Sequence, residues 1–413
     1  MSMIVAISRR LARLRGGVSA SATITNPSGL EAAILNMGSG TAAGVSVSPN
    51  TAMQVAAVNA CVRIISGAVA NLPIHIKRRV DSNTREDLAD HPVWTLLRRR
   101  PNSWQTPSQF RRMMQANLLM RGNAYAMIVR SRGRVIDLVP LDPARMQVKQ
   151  QDDLSLVYEY RRKNGGLVIL QQSEVMHLVG LTLDGVHGVS PLTYARETIG
   201  LAVAQERHGA GIFKNQARPS AVLQHPERLS AEARNFLQES MAEYRAGGSA
   251  EGKTLILEEG MSMQPLGMTS QDAQWIEGRK FSRSDIAMFF GVPPHMIGDT
   301  EKSTSWGSGI EQQSIGFVTY TLEDHLTAWE EAINRDLIDR PDEYARFNRA
   351  ALVRGDIKTR KEYYTAMLQW GVMSPDEVRR LEDMNPRDGG DVYYDPPNTA
   401  GAPGGQADGG ATQ

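Results

Sequence analysis

The sequence predicts an α+β fold, in which a module that mixes helices and strands is followed by a mainly helical half. Two observations carry this prediction. Apolar and polar residues alternate through much of residues 123–179, as in half-buried strands, whereas apolar residues before and after this stretch recur at helical spacing. With 413 residues, 41% of them hydrophobic, the chain has enough apolar material for two or three domains.

The first 50 residues are rich in Gly, Ser, Ala and Thr and show little periodicity. Four arginines between residues 9 and 15 give this start the character of a transit peptide, but it lacks the apolar core of a secretory signal. We therefore expect residues 1–43 to form a disordered basic arm, and regular structure to begin near Thr51.

A helix is predicted between Thr51 and Pro73, because its apolar residues follow one another at intervals of three and four. Pro73 ends the pattern, since proline has no amide hydrogen to donate. Cys61 is the single cysteine, which excludes a disulfide within the chain, and its place in the apolar pattern predicts a buried thiol. The predicted apolar face consists of Val55, Val58, Val62, Ile65, Val69 and Leu72.

Strands and short helices follow this first helix. Ile74 and Ile76 alternate with polar residues like an exposed strand. Helices are expected near residues 91–99 and 107–121, the second with Thr106 and Pro107 as N-cap and first helical residue. Strands follow from residue 123, with turns at Arg132-Gly133 and at the Asn-Gly-Gly of residues 164–166.

The helical half begins at Ser190-Pro191, from which a helix is predicted to about residue 215. Pro219 and Pro226 break the chain, and a helix follows from Ser230. Residues 254–257 (Thr-Leu-Ile-Leu) are predicted to form a strand. Another helix is expected from Ser270 to Gly291, before two prolines.

The longest helical pattern runs from Ile310 to Arg340, and it follows a glycine-rich loop over residues 291–309. Its 31 residues would extend roughly 45 Å, which is typical of a helix that crosses a large assembly. A strand from Tyr344 to Leu352 and two short helices follow. The helical face of the long element comprises Ile315, Val318, Leu322, Leu326, Trp329, Ile333 and Leu337.

The last helix has a clear predicted start, because Ser374, Pro375 and Glu377 form a capping box with proline at the first helical position. We expect it to run to Met384. From Gly389 onward the chain consists mainly of Gly, Pro, Ala and Asp, so we expect residues 391–413 to form a disordered tail.

One nucleotide-binding motif is present: residues 247–254 (Gly-Gly-Ser-Ala-Glu-Gly-Lys-Thr) match the P-loop pattern literally. A P-loop requires a buried strand before the loop and a helix after it. Here the predicted helix comes first and the strand follows, and no apolar strand ending in Asp is evident downstream. We interpret the match as fortuitous, and a nucleotide-hydrolysing packaging enzyme is the rival hypothesis.

No other pattern points to catalysis or to sequence-specific DNA binding. The eight histidines lack metal-ligand spacing, and Asp152-Asp153 and Glu258-Glu259 are adjacent pairs, which do not form an acid–base couple. The 46 basic and 45 acidic residues leave a net charge of +1, without the basic excess that phosphate contacts require. We predict a protein that is no enzyme, has no metal or cofactor, and has no apolar run that spans a membrane.

Ten segments, taken in order, resemble the portal proteins of long-tailed bacteriophages, which are their head-tail connectors. Each is weak alone, but together they cover about residues 50–390. They are AVNACVRIISGAVANLPIHI, HPVWTLLRRRPNSWQTPSQFRRMMQANLLMRGNAYAMIVR, VPLDPARMQV, EVMHLVG, GVSPLTYARETIGLA, FKNQARPSAVL, EGKTLILEEGMSMQPL, FSRSDIAMFFGVPPHMIGD, YTLEDHLTAWEEAINRDL and RGDIKTRKEYYTAMLQWGVMSPDEVRRLEDMNP.

The resemblance implies the portal fold and a ring-forming subunit, normally one of twelve. It has an α+β wing, a helical stem, a small α/β clip and a helical crown. Carried over to this chain, the wing is residues 44–189 with a return over 310–353 that starts with the long helix. The stem is 190–216 and 262–290, the clip is 217–261, and the crown is 354–390.

The resemblance also implies the function. Double-stranded DNA would be packaged and ejected through a ring at one capsid vertex of a virion assembled in the host cytoplasm. The implied partners are further copies of the chain, DNA bound without sequence specificity, the terminase large subunit, the head-completion adaptor and the major capsid protein, with no membrane. Another structural virion protein, such as an adaptor or minor capsid protein, is the second rival.

Two segments are the candidate sites under this interpretation. Residues 291–309 would be the tunnel loop that faces DNA, with Lys302 as the expected phosphate contact and Trp306 either there or anchored against the stem. Its central residues are Asp299, Thr300, Glu301, Lys302, Ser303, Thr304, Ser305 and Trp306. The clip strand and the acids after it would dock the motor, through Thr254, Leu255, Ile256, Leu257, Glu258 and Glu259.

Overall fold

A computed structural model of the chain describes residues 39–214, 221–224, 235, 262–265, 270–299, 313–349, 357–382 and 384–394. Most of the predicted basic arm, clip and tail lies outside these residues. The chain divides into two compact units. Unit 1 combines residues 1–63 with 189–313, and unit 2 combines residues 64–188 with 314–413.

Among the described residues, helices and strands occur in separate runs along the chain, as in an α+β protein. The helices are α1 (Pro49–Ala52), α2 (Ala56–Asn71), α3 (Pro92–Arg98), α4 (Pro107–Arg121), α5 (Pro191–Tyr194), α6 (Arg196–Lys214), α7 (Ser270–Phe289), α8 (Glu323–Leu337), α9 (Ile357–Gln369) and α10 (Pro375–Leu381). The strands are β1 (Ser39–Gly40), β2 (Ser46–Val47), β3 (Ile74–Arg79), β4 (Arg85–Asp87), β5 (Asn123–Ser131), β6 (Arg134–Leu141), β7 (Met146–Gln150), β8 (Leu156–Arg161), β9 (Leu167–Gln171), β10 (Val175–Val179), β11 (Ala221–Gln224), β12 (Ser262–Pro265) and β13 (Glu343–Phe347).

Unit 2 is built on antiparallel sheets, with α4 packed on β5 and α8 packed on β10 and β13. Its sheets have the strand orders β10-β5-β6, β13-β3-β4 and β7-β8-β9. Trp329 of α8 is fully buried, lies edge-on to Phe110 of α4 at 6.5 Å, and donates its indole N–H to Gln115 Oε1 at 2.8 Å. The buried indole N–H therefore has a hydrogen-bond partner at the contact between the two helices, as buried tryptophan N–H groups usually do.

The first helical pattern is confirmed. All six residues of its predicted apolar face are buried, and α2 ends at Asn71, two residues before Pro73. Cys61 is fully buried, and burial raises the pKa of its thiol to about 12, as a core cysteine requires. The expectation of an exposed strand after it was wrong, because β3 lies between β13 and β4 and buries Ile74 and Ile76.

The predicted turns and caps of unit 2 are also confirmed. Arg132 and Gly133 both have positive φ and join β5 to β6, and Gly165 turns the chain between β8 and β9. The α4 helix has the predicted bounds, with the Thr106 hydroxyl accepting the amide N–H of Gln109. At α10, Ser374 and Glu377 form the predicted reciprocal cap, although the helix ends at Leu381 rather than Met384.

Unit 1 is mainly helical, and α6 packs against α7. The single helix predicted from Ser190-Pro191 is instead two, since α5 ends at Tyr194 and α6 starts at Arg196. The short β1–β2 hairpin lies on α6, where the Ala42 amide donates to the Glu197 carboxylate at 3.0 Å. A Cβ on Gly200 would lie 2.5 Å from the Thr41 side chain, so this contact requires glycine.

The long helix contains a π-helical turn that the sequence did not predict, and it ends at Leu337 rather than at the predicted Arg340. Residues 313–316 are α-helical, Phe317–Leu322 form a π-helical turn, and α8 follows without a break. Residues 310–312 lie outside the described part, and the helix ends at Leu337 because Ile338 is extended. The π turn changes which side chains share a face, so Leu322 is buried while Ile315 is exposed.

Candidate channel segment and assembly surface

The start of the predicted tunnel loop is described as far as Asp299, and it is tightly turned. Gly291, with φ +66°, ends the helical region, and the Val292 amide donates back to the Ala287 carbonyl at 2.9 Å. A 3-10 turn, Pro294–Ile297, follows, and the Asp299 amide donates to the Pro294 carbonyl at 3.0 Å. The two prolines and these hydrogen bonds direct the chain away from the end of α7.

Asp299 is the only one of the eight central tunnel-loop residues within the described part of the chain. Its carboxylate accepts a hydrogen bond from the Ser284 hydroxyl of α7 at 3.1 Å, and its side chain is half-buried. Asp299 therefore holds the start of the segment to α7. Residues 300–306, with Lys302 and Trp306, and the six clip residues 254–259 lie outside the described residues.

The described residues on either side of the central tunnel-loop segment contact each other. His295, in the 3-10 turn, contacts Gln313, the first described residue of the long helix, with His295 Nδ1 2.8 Å from Gln313 Oε1. The segment between them therefore starts and ends at one place. Such closed excursions are frequently functional.

The predicted clip is closed at its base in the same way. Strands β11 and β12 pair in antiparallel register, from Ala221 opposite Pro265 to Gln224 opposite Ser262. Since β11 lies at the start of the predicted clip and β12 directly after its end, this two-stranded ladder brings the two ends together. The predicted strand over residues 254–257 belongs to the part that the structure does not describe.

The two helices of the predicted stem, α6 and α7, contact each other through small and polar residues. The Ser282 hydroxyl of α7 donates to the Gln205 side chain of α6 at 3.4 Å and to its own Gly278 carbonyl at 3.1 Å. A Cβ on Gly278 would lie 3.2 Å from Gln205 Nε2, so glycine allows the close approach. The apolar residues buried in these two helices are Ile199, Ala202, Val203, Ile286 and Ala287.

Large apolar side chains remain exposed on these same helices. Leu201 of α6 and Phe281, Met288 and Phe289 of α7 are all exposed in the single chain, with Met288 at 71%. Single exposed apolar residues are ordinary, but four on one helix pair favour a surface that another protein covers. Sequence reasoning missed this surface, because the apolar residues of α7 give no single helical face.

One deeply buried titratable group of unit 2, His177, has a structural role. His177 Nε2 lies 3.0 Å from Asn123 Oδ1, its Nδ1 lies 3.3 Å from the Tyr158 hydroxyl, and its ring stacks on Tyr125 at 4.4 Å. Burial, together with the positive charge of Arg335, lowers the pKa of His177 to about 3, so the ring is neutral. Both ring nitrogens are engaged in holding the core.

Two kinds of feature are absent from the described residues. These residues contain no cluster of three or more His, Cys, Asp or Glu that would hold a metal ion. They also contain no helix with the length and apolar character needed to cross a bilayer.

Comparison with known proteins gives a consistent family. The sequence profile described as "Phage portal protein" matches residues 56–383. The chain is 39% identical over 353 residues to the portal protein of Enterobacteria phage HK97, covering 84% of this chain and 82% of that one. It is 33% identical over 369 residues to a probable portal protein of Streptomyces phage phiC31, covering 86% and 79%.

A solved structure shares the fold. The chain is similar to one from the neck of a native gene transfer agent particle, computed with C12 symmetry. The TM-score is 0.60 at 21% identity, and the match covers 92% of this chain and 100% of the other. The α+β class predicted from the sequence is thereby confirmed as the fold of these particle-neck proteins.

Proposed function

This chain belongs to the phage portal protein family, and on that premise we propose that it forms the ring through which double-stranded DNA enters and leaves a virion head. The observation that carries the proposal is the exposed apolar surface of α6 and α7, which leads directly into a closed excursion at residues 295–313. In a ring, neighbouring copies would cover the apolar side chains, and the excursions would line a shared channel.

We propose that the ring has twelve copies and occupies one capsid vertex. A cyclic ring joins two different surfaces of each subunit, which suits an apolar helix pair that is exposed in the single chain. The similar neck chain was computed with C12 symmetry, which supports the number twelve. Assembly would take place in the host cytoplasm, before the head is filled.

DNA would slide through this channel without sequence-specific contacts. The 46 basic and 45 acidic residues supply no excess of cations that would hold phosphates strongly. The central tunnel-loop residues 299–306 include two acids and one lysine, so the repeated ring of loops would give weak, rapidly exchanging contacts. Lys302 is the proposed phosphate contact.

The clip, residues 217–261, is the proposed docking site for the terminase large subunit and later for the head-completion adaptor. Its paired base, β11 and β12, would present the segment with residues 254–259 as a projection. We propose that the chain itself hydrolyses no nucleotide and that the motor supplies the energy. The wing would contact the major capsid protein.

The test of the DNA path is a pair of substitutions in the tunnel loop, assayed in assembled heads. Lys302→Ala should leave rings intact but change the length or retention of packaged DNA, and Glu301→Arg should slow passage by adding a ring of positive charge. Lys253→Ala tests the P-loop match, which is interpreted as fortuitous; it should leave packaging unchanged or alter it only by loosening the clip surface. Normal packaging in both loop variants would refute the tunnel-loop assignment, and an ATPase activity lost with Lys253 would favour the rival enzyme.

A further inference from the structure

We propose that a basic patch on unit 2 of one copy binds an acidic tip on unit 2 of the next copy, an inference that rests on the proposed ring. The basic patch consists of Arg98, Arg99, Arg100 and Trp104. The acidic tip consists of Asp152, Asp153 and Leu154. The partner of each surface is therefore a second copy of this chain.

The basic patch lies at the end of α3, where three consecutive arginines are exposed. The guanidinium carbons of Arg98 and Arg99 lie 5.4 and 6.0 Å from the ring centre of Trp94, so the indole orders both side chains. Among the described residues, none of the three arginines forms an ion pair. Three exposed cations, two of them ordered by Trp94, thus remain available to a partner.

Trp104 extends the patch with an apolar surface, and its turn is fixed. The side chain is 61% exposed, although tryptophan usually buries most of its large surface. Asn102, which is buried, accepts the amide N–H groups of Trp104 and Gln105 and donates to the Leu138 carbonyl at 3.0 Å. The turn that carries the exposed indole is therefore already ordered before a partner binds.

The acidic tip is the turn between β7 and β8, and it is also ordered in advance. The Gln151 amide donates to the Ser155 carbonyl, and the Leu154 amide donates to the Gln151 carbonyl, both at 2.9 Å. Asp153 accepts hydrogen bonds from the Ser155 hydroxyl and amide, which lower the pKa of its carboxyl and keep it ionised. Asp152 and Asp153 are exposed and form no ion pair within the described part of the chain.

Leu154 adds an apolar side chain held in a strained backbone. It has φ +66°, a conformation that side chains other than glycine, asparagine and aspartate rarely adopt, and it is 72% exposed. Backbone strain and exposure of a leucine both cost stability in the single chain. Strain of this kind concentrates at binding sites, where a partner contact offsets it.

The two surfaces are complementary, and the ring explains why one chain carries both. A closed ring of more than two copies pairs one surface with a different one on the neighbour. Arginine guanidinium groups bind carboxylates through bidentate hydrogen bonds. Trp104 and Leu154 would supply an apolar contact beside these ion pairs. If the arginines bound DNA instead, the strained, acidic Leu154 turn would remain without a role.

Charge reversal on the full-length purified chain tests the pairing. The variants are R99E/R100E, D152R/D153R and the four-fold combination. The control is R161E/R162E, which makes the same charge change as R99E/R100E in another exposed segment. Ring formation is measured by mass photometry over a protein dilution series. Each two-site reversal should raise the concentration needed for half assembly by at least about tenfold, since it places like charges together. The four-fold combination should recover most of the lost assembly. The control should reach half assembly at the same concentration as the original chain.

The outcomes separate this inference from the proposed function. Normal ring assembly by either two-site variant would overturn the pairing. So would a loss of assembly in both two-site variants that the four-fold combination does not restore. In both cases the proposed ring itself would still hold. An original chain that forms no ring at all would overturn the proposed function and the pairing with it. If circular dichroism shows that a two-site variant is unfolded, R100E and D152R make the same test. These two leave the Trp94 contacts and the Ser155 hydrogen bonds unchanged.

Discussion

Three glycines of unit 2 meet with their backbones in contact. The Gly180 amide donates to the Gly122 carbonyl at 2.8 Å, and the Asn123 side chain donates to the carbonyl of Gly188 and accepts its amide N–H. A Cβ on Gly188 would lie 1.9 Å from the Gly122 carbonyl oxygen. Because backbone rather than a flexible side chain fills this space, the strand ends shift if glycine is replaced.

Gly188→Ala should therefore destabilise the protein by roughly 1–3 kcal/mol, the usual cost of overpacking a filled site. The measurement is urea unfolding followed by circular dichroism. Gly67→Ala is the control, because nothing lies within 4 Å of a Cβ there and the residue lies inside α2. That change should be neutral or stabilise by up to about 1 kcal/mol. Equal midpoints for the two variants would contradict this account.

A second residue-scale feature is the buried carboxylate of Glu330. It accepts hydrogen bonds from the Phe347 amide at 2.7 Å and from Arg349 at 2.6 Å, and it forms a longer contact with Arg346 at 3.1 Å. Arg349 also binds Glu323 with its remaining N–H groups. This network joins α8 to the residues after β13, and hydrogen bonds from Arg349 lower the pKa of Glu323.

Arg349→Met should destabilise the protein at neutral pH by about 3–5 kcal/mol, since it leaves the buried Glu330 poorly compensated. Arg346→Met, at an exposed partner of the same carboxylate, should cost under about 1 kcal/mol. The pKa of Glu323 is lower in the folded protein than its ordinary value of 4.5. The stability that the ionised Glu323 contributes is therefore complete above pH 4.5 and is lost as the pH falls through the pKa of the folded state. The difference between Arg349→Met and the original chain should thus shrink from pH 7 to pH 3, and a difference that grows would refute the assignment.

At the scale of elements, local signals predicted most of the described fold. The α2 face and the α4 bounds followed from spacing and from Thr106-Pro107, because both patterns depend on residues near one another in sequence. The π turn before α8 and the central position of β3 could not be predicted from these local patterns. Both depend on what the element packs against, which periodicity does not encode.

The Thr106 cap gives an element-scale prediction. Thr106→Ala removes the hydroxyl that accepts the Gln109 amide, so it should cost about 1 kcal/mol. Thr106→Ser keeps that acceptor and should remain within a few tenths of a kcal/mol of the original chain. Thermal unfolding measures both. Equal losses in the two variants would show that packing of the threonine methyl group, rather than the cap, stabilises α4.

At the scale of the whole molecule, the sequence indicated the family but not the assembly surfaces. The family followed from ten ordered segments, and the profile match over residues 56–383 confirms it. The exposed Met288, the Trp104 turn and the strained Leu154 were not predicted, because exposure of an apolar residue appears only when the fold is known. The tunnel-loop residues beyond Asp299 and the clip residues 254–259 remain predictions.

The central claim is that copies of this chain close into a ring around an open channel. The most direct measurement is the mass of the purified full-length assembly, together with electron microscopy of the same sample. Twelve chains of 45.4 kDa would give about 545 kDa and class averages with twelvefold symmetry and a central hole. A monomer at working concentration, an open filament, or a closed particle without a hole would contradict the account.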